Sequence, residues 1–231
     1  QIEITNNVIT LNGRNGISMN GIGFGSVTTN PDCSGTNFLA IVKQNTISSN
    51  AVNGLEVFGG AQKICFAENI VNDNGSDGFS IGPSPNNILT GNTISGSDQY
   101  GIRVHGSSDY TTISSNTITN GQAGITISGS EYSTISGNTI TNNKPPGAGT
   151  SLALSISTSD NSTIENNVIT NNNSGIEVQG GSITLTSNTV SNNDVKGIRV
   201  MFGEHILTGN TANNNGALSY GYGSGDGILI E

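Results

Sequence analysis

Apolar and polar residues alternate along this chain in short bursts. Gly101-Ile-Arg-Val, Gly124-Ile-Thr-Ile, Gly175-Ile-Glu-Val and Gly197-Ile-Arg-Val each place an apolar residue at every second position after a glycine. Gly16-Ile-Ser-Met, Gly54-Leu-Glu-Val, Gly78-Phe-Ser-Ile, Ala153-Leu-Ser-Ile and Gly227-Ile-Leu-Ile repeat the pattern. This is the period of a strand with one buried face, and no window carries apolar residues at helical spacing.

A second set of positions keeps the same beat. Asn7, Asn45, Asn69, Asn92, Asn116, Asn138, Asn167, Asn188 and Asn210 recur at intervals of 21 to 38 residues. The basic unit is therefore about 22 residues with two enlarged copies, the mark of stacked repeats rather than a globule. Each unit holds three short strands: the Gly-Ile-x-Val segment, a second such as Ser133–Ser136, and a third such as Thr139–Thr141 just past the asparagine. Three strands per turn predict an all-β fold, a single-stranded parallel β-helix of about nine three-strand coils over residues 1–231. The preference for right-handed crossovers makes it right-handed.

Alignment of the units sets Ile102, Val104, Ile113 and Ile118 facing inward in one coil, and Ile125, Ile127, Ile135 and Ile140 in the next. Ile176, Val178, Leu185 and Val190 do the same further on. The asparagine falls at the bend between the second and third strands, where its amide can bond to its copies above and below. It reads as a structural ladder. The words Ile113-Ser-Ser-Asn-Thr-Ile118 and Ile135-Ser-Gly-Asn-Thr-Ile140, each followed by Gly-Ile-x-Val or Ala-Leu-Ser-Ile, resemble the right-handed parallel β-helix families. These include pectate-lyase-like enzymes, mannuronan C5-epimerases, and carbohydrate-binding and sugar-hydrolase repeat proteins. The resemblance covers essentially the whole chain and speaks for fold more than for chemistry.

Composition narrows the partners. Apolar residues make up 32% of the chain and glycines number 33, enough for a solenoid in which four inward positions per coil form the core. A net charge of −9 repels phosphate backbones and anionic membranes, so nucleic acid is not an expected partner. No apolar run is long enough for a spanning helix, and membrane insertion is not expected. Repeat strands at Gln1-Ile-Glu-Ile and Gly227–Glu231 leave the core open at both ends. We therefore expect part of a longer chain, with flanking domains or end-to-end contacts covering the ends. Cys33 lies in the enlarged segment 20–38 and Cys65 points outward on a second strand, so a disulfide is expected to pin that segment in an exported protein. Asn74, Asn161 and Asn172 begin glycosylation sequons, of the sort an Asn-, Ser- and Thr-rich chain also produces by chance.

Candidate chemistry falls on the outer face of the Gly-Ile-x-Val strands. The outward positions there are mostly small, and Arg103 and His105 stand out between Ser80 and Gly82 on one side and Thr126 and Ser128 on the other. Tyr100, Asp98, Asp109 and Tyr110 lie on the same strand or its flanking loops, and Glu56 and Phe58 hold the matching outward positions two coils earlier. The insertion at residues 20–38 is expected to wall this groove, and further insertions fall at Lys144–Thr150 and Ala212–Asp226. A cation, an imidazole and a phenol are the groups needed to move the C5 proton of a uronic acid: the cation neutralises the carboxylate, and the others exchange the proton. Tyr100-Gly-Ile-Arg-Val-His105 is similar to the mannuronan C5-epimerase motif, with Arg103 standing where that family has its aspartate. The candidate catalytic residues are Tyr100, Arg103 and His105; the candidate substrate-binding residues are Glu56, Phe58, Asp98, Asp109 and Tyr110.

Calcium is the cofactor that the pectate-lyase-like resemblance implies, yet Asp73, Asp77, Asp98 and Asp109 are dispersed on loops and mark out no calcium cage. Glu177 and Arg199 occupy the same site on adjacent coils and read as a structural ion pair, and His205 reads as an exposed polar residue. Two function classes follow. One is an extracellular or cell-surface polysaccharide lyase or polyuronate C5-epimerase acting on an acidic glycan. The other is a non-catalytic carbohydrate-binding or surface-structural repeat protein.

Overall fold

A computed structural model of the chain describes residues 1–21, 33, 38–144, 151–216 and 226–231. Among them no helix occurs, and the strands form three parallel sheets of nine strands each. The Gly-Ile-x-Val segments build sheet 1, which includes Leu55–Phe58, Phe79–Ile81, Tyr100–His105, Ala123–Ser128 and Ile198–Met201. Sheet 2 contains Ile64–Ala67, Ile88–Thr90, Thr112–Ser114 and Ile183–Thr186; sheet 3 contains Thr93–Ser95, Thr117–Thr119 and Thr139–Thr141. Every strand pairs with its copy one coil away, so the chain winds as a parallel β-helix.

The inward positions form one continuous core. Ile102, Val104, Ile113, Ile118, Ile125, Ile127, Ile135 and Ile140 are all at most 1% exposed and belong to a single apolar cluster. The glycine before each Ile-x-Val is required by space: a Cβ on Gly78 would sit 2.6 Å from Gly101 O and 2.7 Å from the Ile94 methyl. Ala153 holds this position in one coil.

The asparagine ladder runs through the bend between sheets 2 and 3. The Asn116 N–H and its Nδ2 both donate to Asn138 Oδ1, at 2.9 and 3.0 Å, and Nδ2 also donates to Leu89 O at 3.0 Å. The residue before each ladder asparagine adopts a left-handed backbone, with φ of 64° at Gly91, 56° at Ser115 and 63° at Gly137. That bend turns the amide into the core, where leaving it unpaired would cost about 1 to 3 kcal/mol.

A second ladder is present beyond the one expected from the Asn7-to-Asn210 series. Asn12, Asn50 and Asn74 bond in series, as do Asn143, Asn172, Asn193 and Asn215. Between the two runs Ser97 and Gly121 take the position, and the buried Ser97 hydroxyl has no partner among the described residues. Two of the three sequons are settled by this, because Asn74 and Asn172 are fully buried ladder members, whereas Asn161 is exposed.

Cys33 and Cys65 form the disulfide expected from the sequence, with Cα atoms 5.8 Å apart. Cys65 does point away from the main core, but it is covered: with Phe38, Ala67 and Ile88 it makes a second apolar cluster against which Cys33 and Ile41 pack. Of the segment 20–38, Cys33 and Phe38 lie against the outside of sheet 2, where apolar side chains meet them. The residues expected to wall the groove, 22–32 and 34–37, lie outside the described residues, as do 145–150 and 217–225 of the other insertions.

Candidate functional site

The strand Tyr100–His105 pairs on one side with Phe79–Ile81 and on the other with Ala123–Ser128. Arg103 is level with Ser80 and Thr126, and His105 is level with Ser128. The alternation that buries Ile102 and Val104 turns Arg103 and His105 outward, both half-buried. Two coils earlier, Glu56 is level with Ser80. With coils about 4.8 Å apart, Ser80 and Gly82 floor a trough walled by Glu56 and Phe58 on one side and by Arg103 and His105 on the other. A Cβ on Gly82 would lie 3.6 Å from both His105 Cε1 and Phe58 Cβ, so Gly82 sits between these two side chains.

Arg103 makes no hydrogen bond or ion pair with any described residue; its guanidinium lies 5.6 Å from the centre of the Tyr100 ring. Beside it is an acid that the repeat pattern does not single out, Asp77. Asp77 is 2% exposed and accepts the Tyr100 N–H at 3.3 Å. It continues a short column in which Asn15 takes the Asn53 N–H at 3.1 Å and Asn53 takes the Asp77 N–H at 3.0 Å. Burial pushes the Asp77 carboxyl above the ordinary carboxylate range, against the opposing pull of the Tyr100 N–H, the Arg103 charge and the Ser80 hydroxyl. Burial, and then the Arg103 charge, lower the His105 pKa below its usual value, which keeps the imidazole neutral at pH 7. A neutral imidazole accepts a proton, and an unpaired guanidinium receives an anion.

The remaining predicted residues are placed differently. Glu56 takes the Asn15 amide at 2.6 Å and the Ser18 hydroxyl at 3.3 Å, which holds the carboxylate toward the first coils. Asp98 is exposed on the turn leading into the strand. Asp109 and Tyr110 sit on the turn beyond His105: Asp109 accepts the Glu131 N–H at 2.9 Å, and Tyr110 stacks on Tyr132 with ring centres 4.9 Å apart. Neither has a described contact with Arg103 or His105. His205 is half-buried rather than exposed, and its Nδ1 accepts the Ile183 N–H at 3.3 Å while Nε2 lies 3.0 Å from Phe202 O, a structural role. Among the described residues no three acidic, histidine or cysteine side chains gather as a metal would require. A cavity of about 320 Å³ lies elsewhere, on the outside of sheet 2, against Thr163, Thr184 and Ile206. It holds neither cation nor imidazole.

Repeating coils, three parallel sheets and an internal amide ladder define a parallel β-helix. The chain belongs to the right-handed β-helix family, whose model matches residues 1–155 and 90–231. Among curated proteins no relative matches by sequence. Solved structures do. The periplasmic alginate epimerase AlgG superposes with a TM-score of 0.65 at 19% identity, over 74% of this chain and 45% of its own. The A-module of the Azotobacter vinelandii mannuronan C-5 epimerase AlgE4 gives 0.58 at 14% identity, over 99% of this chain and 57% of its own. The enzymatically active domain of tailspike protein 2 from bacteriophage CBA120 gives 0.66 at 12% identity, over 99% and 41%. At these identities the likeness is one of fold, and this chain spans about half the length of the structures it matches.

Proposed function

We propose that the chain is an extracellular polysaccharide-interacting protein that binds a uronate-containing glycan across the outer face of sheet 1 and acts on it as a lyase or C5-epimerase. The observation that carries this reading is the Arg103 guanidinium, which pairs with no described residue, lies half-buried between small residues and is flanked by His105 and Tyr100. Arg103 takes the uronate carboxylate and stabilises the negative charge that develops there as C5 loses its proton. His105, held neutral, accepts that proton. The Tyr100 phenol then supplies a proton, either to C5 from the opposite face, which inverts the centre, or to the 4-linked oxygen as it leaves, which gives an unsaturated sugar. Support from the comparisons is that two of the similar folds are named as alginate or mannuronan epimerases and a third as an enzymatically active tailspike domain.

The test is incubation with alginate, polygalacturonate and hyaluronan, with and without Ca²⁺, following absorbance of unsaturated ends and proton NMR of inverted C5 centres. Either signal, lost in His105→Ala, is the expected result. Silence in every case, with binding retained on an affinity gel, would make the chain a carbohydrate-binding module.

A further inference from the structure

The charge pattern along the groove points to the kind of acidic glycan. A homopolyuronate carries a carboxylate on every sugar, and a sugar advances along the groove by roughly one coil. A groove built for it would offer repeated cations. On sheet 1 the outward residues from Ser18 to Gln179 include one arginine or lysine, Arg103, beside the neutral His105. Arg199, the next along the same column, is already engaged by Glu177 and Glu231.

Two coils on the N-terminal side of Arg103, about 10 Å away at strand spacing, stands Glu56. Its carboxylate is held by the neutral donors Asn15 and Ser18 and has no cation within ion-pair distance among the described residues, so its charge stays on the surface. Next to it, the half-buried Phe58 offers an apolar face. A carboxylate and an aromatic ring together repel an anionic sugar and accept a neutral one, whose hydroxyls donate to the carboxylate while its C–H face covers the ring.

We infer that the ligand is a heteropolysaccharide in which a uronate, seated at Arg103, is separated by neutral sugars from the next acidic residue, and that Glu56 with Phe58 forms the neutral-sugar subsite that excludes homopolyuronates. The inference rests on the functional reading above, which supplies the uronate at Arg103, and adds the identity of its neighbours.

Isothermal titration at low salt tests it with three hexasaccharides as probes: one from hyaluronan, in which glucuronate alternates with N-acetylglucosamine, one of polymannuronate and one of polygalacturonate. The alternating probe should bind at least tenfold more tightly than either homopolymer. Glu56→Gln should narrow that gap, and Glu56→Lys should raise homopolymer affinity tenfold or more. Homopolymers that bind as tightly as the alternating probe, or a gap that neither Glu56 variant alters, would overturn the inference while leaving an acid-binding groove in place. Failure of all three probes to bind would overturn both readings, and loss of binding of every acidic probe in Arg103→Ala keeps the uronate reading separate from the fate of Glu56.

Discussion

Two copies of one tetrapeptide, Gly101-Ile-Arg-Val and Gly197-Ile-Arg-Val, occupy the same place in the fold four coils apart, and their arginines have opposite fates. Both lie outward in the same column of sheet 1. Arg199 has Glu177 on the adjacent coil, with Nη1 to Oε2 at 3.1 Å, and receives Glu231 from the other side, with Nε to Oε2 at 2.8 Å and a further bond from Nη2. The Glu231 bonds are the main reason that its pKa is raised. Arg103 has Ser80 and Thr126 in the equivalent places and bonds to neither. In a solenoid the neighbours that decide a side chain's chemistry lie one repeat away. The local motif is therefore silent on whether an arginine is structure or site.

The sharpest test of the contrast is catalytic. His105→Ala should lower turnover of a uronate glycan by about a hundredfold or more, the scale of general-base loss, while leaving the fold intact by circular dichroism. Arg199→Ala should leave turnover near wild type. The pH dependence carries the same information. Because the folded His105 pKa is lowered, activity should persist below pH 6.5 and fall as pH drops through that lowered value. Arg103→Gln removes one of its two causes and should move the acid limb upward. An acid limb that ignores Arg103 would separate the two residues.

Binding comes next in size. Arg103→Ala should weaken an acidic oligosaccharide by about 1.5 to 3 kcal/mol, the worth of a charge-assisted hydrogen bond, as read by calorimetry. Arg199→Ala should cost at most about 1 kcal/mol, and in stability rather than affinity, since it breaks surface ion pairs. Equal small effects on binding would dissolve the comparison and make the Arg103 cluster ordinary surface.

The contrast also shows what was legible from sequence. Strand alternation fixes Ile102 and Val104 inward and Arg103 outward, so the core, the ladder of Asn116 and Asn138 and the outward set could be read from repeats alone. The second ladder carried a signal that went unread: Asn12, Asn50, Asn74, Asn143, Asn172, Asn193 and Asn215 each follow a first-ladder asparagine by five residues. Asp77 was missed because Ser-Asp-Gly looks like a turn. Only the column Asn15, Asn53, Asp77, Tyr100 reveals a carboxylate set into an amide position. Periodicity describes coils and says nothing of the loops between them, so for the segment 20–38 the sequence offers the Cys33–Cys65 link, which the structure holds beside an apolar patch of Phe38, Cys65 and Ile88.

That carboxylate gives the smallest and most local prediction. Asp77→Asn restores the residue found at Asn15 and Asn53 and keeps an Oδ1 to accept the Tyr100 N–H, so the hydrogen bond at 3.3 Å survives while the buried charge does not. Because the folded Asp77 pKa is raised, its contribution favours folding at pH below the unfolded value near 3.8 and is lost as pH rises through the folded value. At pH 7 the wild type therefore carries the cost of an ionised, nearly inaccessible carboxylate, and Asp77→Asn should melt at a higher temperature. The advantage should shrink toward zero as pH is lowered into the range where Asp77 is protonated in both states. No comparable pH-dependent gain should follow from removing a carboxylate at the other arginine: Glu177→Gln breaks a pair instead of relieving burial, and should lower the melting temperature at pH 7. An Asp77→Asn variant less stable than wild type at neutral pH would mean that attraction to Arg103 outweighs burial, and that the acid is an anchor for the arginine rather than a strained guest in the ladder.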